Sequence, residues 1–300
     1  MSGRPLVGLL YNPAIPIVLD AIGERVDFVE VVPDRLWYDF GVGEKRRFSH
    51  SSAAVEELQR HVQDRAVIGH GIGLSLPSAM PIDEVLLDQV VASHRTLQYR
   101  WYSEHLSMFL VPNRSIPNAQ AGMGLPVVLD SETFDLVGAK VRQLGAALGT
   151  RILLENSTIF SAVPEQDMSE PAFFNRLHRE TGCGMLLDLH NLYANTLNLE
   201  MSVEDYLAEL DPDIVVEIHL AGGDRLKDFY TDSHSRPTPL AVWQWANDWA
   251  PRFRNLAAIT YEYHESYHKR LGLDGIAREL ELMHALAGKV AEACGTTAAQ

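Results

Sequence analysis

Six apolar runs in this chain end in a residue that can hold a metal ion or carry a proton. The clearest is Arg151–Asn156, where Ile-Leu-Leu leads straight into Glu155 and Asn156. The same order recurs at Val67–His70, Trp101–His105, Met185–Asp188, Val215–His219 and Ile259–Glu262. A strand buried on both faces reads as a short, nearly continuous apolar run. A polar group at its C-terminal end stands where an α/β barrel places its chemistry.

The candidate groups are therefore His70, Glu104 or His105, Glu155 or Asn156, Asp188 with His190 and Asn191, His219 and Glu262. The polar stretch after the run at Val215 adds Asp232 and His234. Side chains alternate along a strand, so at most one of Glu104 and His105 enters a shared site. Glu217 and His219 lie on one face, which places Glu217 below the site as a partner of a ligand. A single histidine at a strand end is commonly just a hydrogen-bonded imidazole. Six such ends together are different, because buried acids and imidazoles without a cation are costly. Catalytic ions typically take three protein ligands, so this set is sized for two or three ions, with carboxylates such as Glu155 bridging. Oxygen and imidazole donors without cysteine suit Fe, Mn or Zn and argue against Cu(I).

The elements that must position these groups alternate. Strands are expected at Pro5–Tyr11, Asp27–Val32, Ala66–His70, Gln98–Leu106, Arg151–Asn156, Gly184–Leu189, Ile214–Ala221 and Leu256–Tyr263. Helical spacing or caps mark Ile17–Ile22, Ser51–Val62, Ile82–Leu97, Glu132–Leu148, Ser169–Thr181, Ser202–Leu210, Leu240–Trp249 and about 274–292. Eight strands alternating with about eight helices point to an α/β fold, a single (β/α)8 barrel over residues 1–300, with 1–4 and 293–300 fraying. A doubly wound open sheet is the rival, but no Gly-x-Gly-x-x-Gly follows a strand. Ser107–Leu129 is rich in Pro, Gly and Asn and reads as a long loop, a candidate for substrate contact.

Composition sets limits. A formal charge of −15 disfavours a nucleic-acid footprint. Hydrophobic residues make up 46% and charged residues 22%, the balance of an ordinary globular chain. The two cysteines, Cys183 and Cys294, give no disulfide framework. No signal peptide or transmembrane-length run is read, so the cytoplasm is the expected compartment and no membrane partner is expected.

The stretches His70–Ser75, Ser103–Ser107, Leu154–Asn156, Leu186–Asn191, Ile218–Gly222 and Asp232–His234 together resemble the multinuclear non-heme iron-dependent oxidative enzymes. These are xylose-isomerase-like TIM barrels, and the resemblance spans about residues 26–265. It implies iron and dioxygen chemistry on a ribosomally made precursor peptide, often at cysteine, in natural-product biosynthesis. It also implies a separate partner protein that presents the peptide. The wider superfamily includes endonuclease IV, whose ordered trinuclear pattern falls here on His70, His105, Glu155, Asp188, Asn191, His219, Asp232, His234 and Glu262. Three departures mark a divergent member. His190-Asn191 stands for the family's Asn-Asn, Pro33-Asp34 for Glu-Asn, and Glu262-Tyr-His264 for Glu-Trp-Asp. His190 is open to three roles, an additional ligand, a proton relay or an outer partner of a ligand, and His190 and His264 are the candidate proton relays.

The expectation is thus an oxidase or oxygenase with two or three Fe2+/Fe3+ ions, Zn or Mn being the other choices. A di- or trizinc phosphoesterase of the endonuclease IV type is the first alternative, and Asn191 and the acidic charge speak against it. A metal-dependent sugar isomerase is the second, though no strand end supplies its lysine. A peptide-binding barrel without catalysis is the third.

Overall fold

The computed structural model describes residues 3–111 and 119–297. Eight parallel strands close into a barrel in chain order. They are β1 (Leu6–Leu10), β2 (Phe28–Val31), β3 (Ala66–Gly71), β4 (Trp101–His105), β5 (Arg151–Glu155), β6 (Gly184–Asp188), β7 (Val215–Leu220) and β8 (Ala258–Tyr261). The outer helices are α1 (Ile15–Ile22), α2 (Ser52–Val62), α3 (Glu84–Leu97), α4 (Ser131–Leu148), α5 (Glu170–Thr181), α6 (Leu189–Leu199), α7 (Val203–Glu209), α8 (Leu240–Trp249) and α9 (His268–Thr297). The fold is the (β/α)8 barrel that the alternation calls for. Residues 1–2 and 298–300, part of the ends expected to fray, lie outside the described residues.

The barrel interior is layered. Phe28, Ile68, Trp101, Leu153, Leu186, Val216 and Ala258, one from each of seven strands, form an apolar cluster of their own. On β1 the matching place is taken by Gly8, where a Cβ would stand 2.5 Å from the Phe28 ring. Two residues further along, the same strand face turns polar: Glu30, His70, Ser103, Glu155, Asp188 and Thr260 are all buried. A register shift in the β6–β7 pairing falls at Val216, and beyond it Glu217 and His219 join this polar layer. A larger apolar shell fills the space between the strands and the helices.

Three differences from the sequence reading concern the loops at the C-terminal ends of the strands. Ser107–Leu129, expected as an irregular loop, contains an antiparallel hairpin pairing Met108–Val111 with Ala119–Leu125; residues 112–118 lie outside the described residues. Similar short hairpins follow β2 (Trp37–Asp39 with Phe48–His50) and β7 (Asp224–Leu226 with Phe229–Thr231). Five of these six strands have only three or four residues, which leaves almost no periodicity to read, and the seven-residue Ala119–Leu125 is interrupted by Gly122 and Gly124. The third difference is α6, which starts directly at Leu189 with Asp188 as its N-cap, accepting the Asn191 N–H at 2.7 Å. An apolar strand running into an apolar helix with no turn residues between them hides that boundary.

Candidate metal centre

The strand ends meet above the apolar layer. Glu155 is the centre of a first group: its Oε2 lies 2.6 Å from His105 Nδ1 and 3.4 Å from His70 Nε2. Ser103 Oγ donates to Gly69 O, so it accepts from His70 Nδ1, 2.8 Å away. His70 therefore turns an unprotonated Nε2 towards a carboxylate oxygen. Two acceptors facing each other in a buried site are reconciled by a cation between them. Phe109, on the hairpin after β4, packs its ring 5.4 Å from that of His105.

A second group adjoins it. Donor atoms of Glu155, Asp188 and His219 lie within 4.8 Å of one another, and His219 Nδ1 is 3.3 Å from Glu262 Oε1. Behind His219 stand two carboxylates of the barrel interior. Glu30 Oε2 is 2.9 Å from His219 Nε2, and Glu217 Oε1 is 3.8 Å from it. Glu217 is held by Trp101 Nε1 at 2.7 Å and Thr260 Oγ1 at 2.8 Å. Glu30 was missed by the sequence reading. The available signal was an acid two residues after Phe28 inside an otherwise apolar strand.

The third group is Asp232 with His234, whose Nε2 lies 2.7 Å from Asp232 Oδ1 and 3.5 Å from Glu262 Oε2. His190 approaches the same Asp232 oxygen from below, with Nδ1 at 2.9 Å. Its Nε2 meets the Tyr230 hydroxyl at 3.1 Å.

The remaining candidates lie as follows. The Asn191 amide nitrogen donates to Glu155 Oε1 at 3.1 Å and to Asn156 O at 3.0 Å, and its oxygen accepts the Thr158 hydroxyl. Two acceptors on one side fix that side as the NH2 group. Asn156 bonds the Asp188 backbone through both ends of its amide. Glu104 turns away from His105, towards the Tyr102 hydroxyl at 3.2 Å, and burial pushes its carboxyl up to about 8. His264 is partly exposed, and its Nδ1 accepts the Ser266 N–H as the cap of a short 3-10 turn.

The electrostatics describe a place built for positive charge. Burial and the carboxylates of Glu155, Asp232 and Glu262 push Asp188 well above the usual carboxylate range. Burial works against a charged His219, yet Glu262 and Glu30 hold it well above an ordinary imidazole. His234 is carried to about 10 against its burial by Asp232 and Glu262. Among the described residues, Glu155 Oε2, Asp188 Oδ2, both His219 nitrogens and His234 Nε2 are buried with no aligned hydrogen-bond partner. Orphaned donor atoms of this kind, crowded by like charges, fit a cluster of cations held by oxygen and imidazole. Neither cysteine takes part: Cys294 is exposed, and Cys183 is buried with its thiol pushed up to about 12.

Comparison with known proteins agrees with this architecture. Endonuclease IV from Thermus thermophilus superposes with a TM-score of 0.53 at 15% identity, covering 95% of this chain and 100% of that one. D-psicose 3-epimerase from Clostridium cellulolyticum gives 0.57 at 10% identity, covering 97% of each. At such identities the likeness is one of fold. Sequence relatives are closer. A UPF0276 protein of Rhizorhabdus wittichii is 31% identical over 248 residues, 81% of this chain and 83% of the relative. Another, of Chromobacterium violaceum, is 38% identical over 179 residues, which are 58% of this chain and span 62% of that relative's length. The sequence model of the RiPP precursor modification enzymes MbnB/TglH/ChrH matches residues 7–282, a span that takes in all of the barrel strands but the first residue of β1, and every strand-end group described above. By that match the chain belongs to the RiPP precursor modification enzyme family MbnB/TglH/ChrH.

Proposed function

We propose that this protein is a multinuclear iron enzyme that uses dioxygen to modify a ribosomally synthesised precursor peptide, at a cysteine or another residue of the peptide's C-terminal region. The observation that carries the reading is the convergence of His70, His105, Glu155, Asp188, His219, Asp232, His234 and Glu262 on one largely buried site, five of whose donor atoms lack aligned partners. The family supports a peptide as the substrate class. A separate partner protein that presents the peptide belongs to the same proposal.

In this reading His70 and His105 hold one ion. Asp188, His219 and Glu262 surround a second, with Asn191 tying Glu155 to the group. Asp232 and His234 would hold a third, and Glu155 would lend its carboxylate to the ions beside it. Ferrous ions, when bound, supply the electrons that dioxygen takes up. The chain's own residues do the positioning. Ser103 fixes which His70 nitrogen faces the ions. Asn156 clamps the turn from β6 into α6 on which Asp188 sits. Phe109 packs against the His105 ring and limits its movement. His264, on the open side, is placed to exchange protons with solvent.

The test is the metal content of protein purified without oxygen, together with dioxygen uptake on adding the precursor peptide. Two or three irons per chain and peptide-dependent uptake support the reading. Zinc alone would sink it in favour of phosphoester hydrolysis.

A further inference from the structure

His190 is wholly buried and both of its nitrogens are in hydrogen-bonding contact, unlike those of His219 and His234. The chain of contacts fixes its protons. The Gly223 backbone N–H donates to the Tyr230 hydroxyl at 2.8 Å, so that oxygen is already an acceptor. The Asp232 carboxylate can only accept, so His190 carries its proton on Nδ1 and donates it to Asp232 Oδ1 at 2.9 Å. Its unprotonated Nε2 then accepts the Tyr230 hydroxyl proton, 3.1 Å away. Tyr193 stacks along His190 at 6.5 Å and meets Tyr230 edge-on at 5.2 Å, so both rings of the chain are packed in place.

Asp232 needs such a support. It lies on the loop just past the hairpin Asp224–Leu226/Phe229–Thr231, not on a barrel strand, and its partner His234 has a positive φ of 49°. A carboxylate on a loop is held less firmly than one on a strand. Asn191, the neighbour of His190, does not reach Asp232. Its amide is spent on Glu155 and Asn156.

We propose that His190 is a positioning residue: with Tyr230 behind it, it orients Asp232 for the ion that Asp232 and His234 hold, and is not itself a ligand. This rests on the multinuclear reading above. It assigns His190 the role of outer partner to a metal-binding carboxylate, a class of residue whose loss typically weakens metal affinity about 10–100-fold.

The test uses the full chain stripped with chelator and titrated with ferrous ion under argon. Iron per chain and the affinity of each ion are read by competition with a coloured chelator. His190→Ala should keep the wild-type number of ions at saturating iron. It should bind one of them about 10–100-fold less tightly, the other ions being unchanged. His190→Gln, which keeps an N–H donor, should recover part of that loss. Tyr230→Phe, a substitution at the far end of the chain of contacts, should show a smaller loss in the same ion. Loss of one ion outright in His190→Ala, even at saturation, would overturn the proposal and make His190 a ligand. Unchanged affinities in all three variants would overturn it too. A fold-only role would lower the melting temperature in chelator without singling out one ion. Wild-type protein that takes up no ferrous ion overturns this proposal and the multinuclear reading together. Wild-type uptake with indifferent variants overturns this proposal alone.

Discussion

Glu30 Oε2 and His219 Nε2 face each other 2.9 Å apart in the interior of the barrel, and neither side chain has any exposed surface. The other ring nitrogen, Nδ1, looks up at Glu262. A cation on Nδ1 leaves the proton on Nε2, and Glu30 is the acceptor within reach. Glu30→Ala is therefore expected to weaken metal binding by about 10–100-fold, and Glu30→Gln by clearly less. Chelator competition on the two variants checks this. Equal losses would mean that packing, not the acceptor oxygen, is what Glu30 provides.

The carboxylates that suit a cation should harm the metal-free chain. Asp188 Oδ2 is buried without a partner among three other carboxylates. Asn at this position keeps an oxygen for the helix cap and drops the charge. Asp188→Asn should raise the stability of chelator-treated protein by about 1–3 kcal/mol and lower that of the metal-loaded protein. Denaturant melts with and without metal give both signs, and a variant destabilised in both states contradicts the account.

Glu155 touches both His70 and His105, and its other oxygen accepts from Asn191. Glu155→Ala and His70→Ala should each remove at least one ion and reduce peptide oxidation at least about 100-fold. Circular dichroism should remain that of the folded barrel. Full activity with a missing ion would show that this group is structural.

A pH dependence is expected far from the metal groups. Burial pushes the Glu170 carboxyl from 4.5 up to about 7, while the Tyr206 hydroxyl, 2.8 Å away, pulls it back. An acid whose folded pKa exceeds its unfolded one stabilises the fold while protonated. That contribution is present below about pH 4.5 and is lost as pH rises to about 7. Glu170→Gln removes the dependence. Relative to wild type, the variant should be about 1–2 kcal/mol better off at pH 8 than at pH 5, the side chain being only partly buried. A difference that does not change between the two pH values would refute this.

Gly8 tests the apolar layer. A methyl group there would stand 2.5 Å from the Phe28 ring, in the middle of a packed barrel. Gly8→Ala should cost about 1–3 kcal/mol in urea unfolding. A neutral result would mean that Phe28 has room to move.

The barrel was legible because each strand states its own period: Leu153 to Glu155, Leu186 to Asp188 and Ile68 to His70 are the same step from apolar to polar on one strand face. His105 and Glu104 show the same rule, since alternation allows only one of them in and the structure admits His105. Glu30 escaped because nothing polar follows it at the strand end; its meaning comes from His219, 189 positions away in sequence and across the barrel. The place of His190 was hidden in a similar way. Its neighbours Tyr230 and Asp232 lie on or just past a three-residue strand too short to announce itself. Asn191 was readable as a residue of the site, but which end of its amide faces Glu155 is a matter of local acceptors.

The apolar layer beneath the ligands has a further meaning for traffic. Phe28, Trp101, Leu153 and their neighbours close the barrel from below, so the site is not reached from that end. Whatever reacts there arrives and departs through the same mouth, and a bound polymer cannot be threaded through. It must enter end-first or as a bend and back out afterwards.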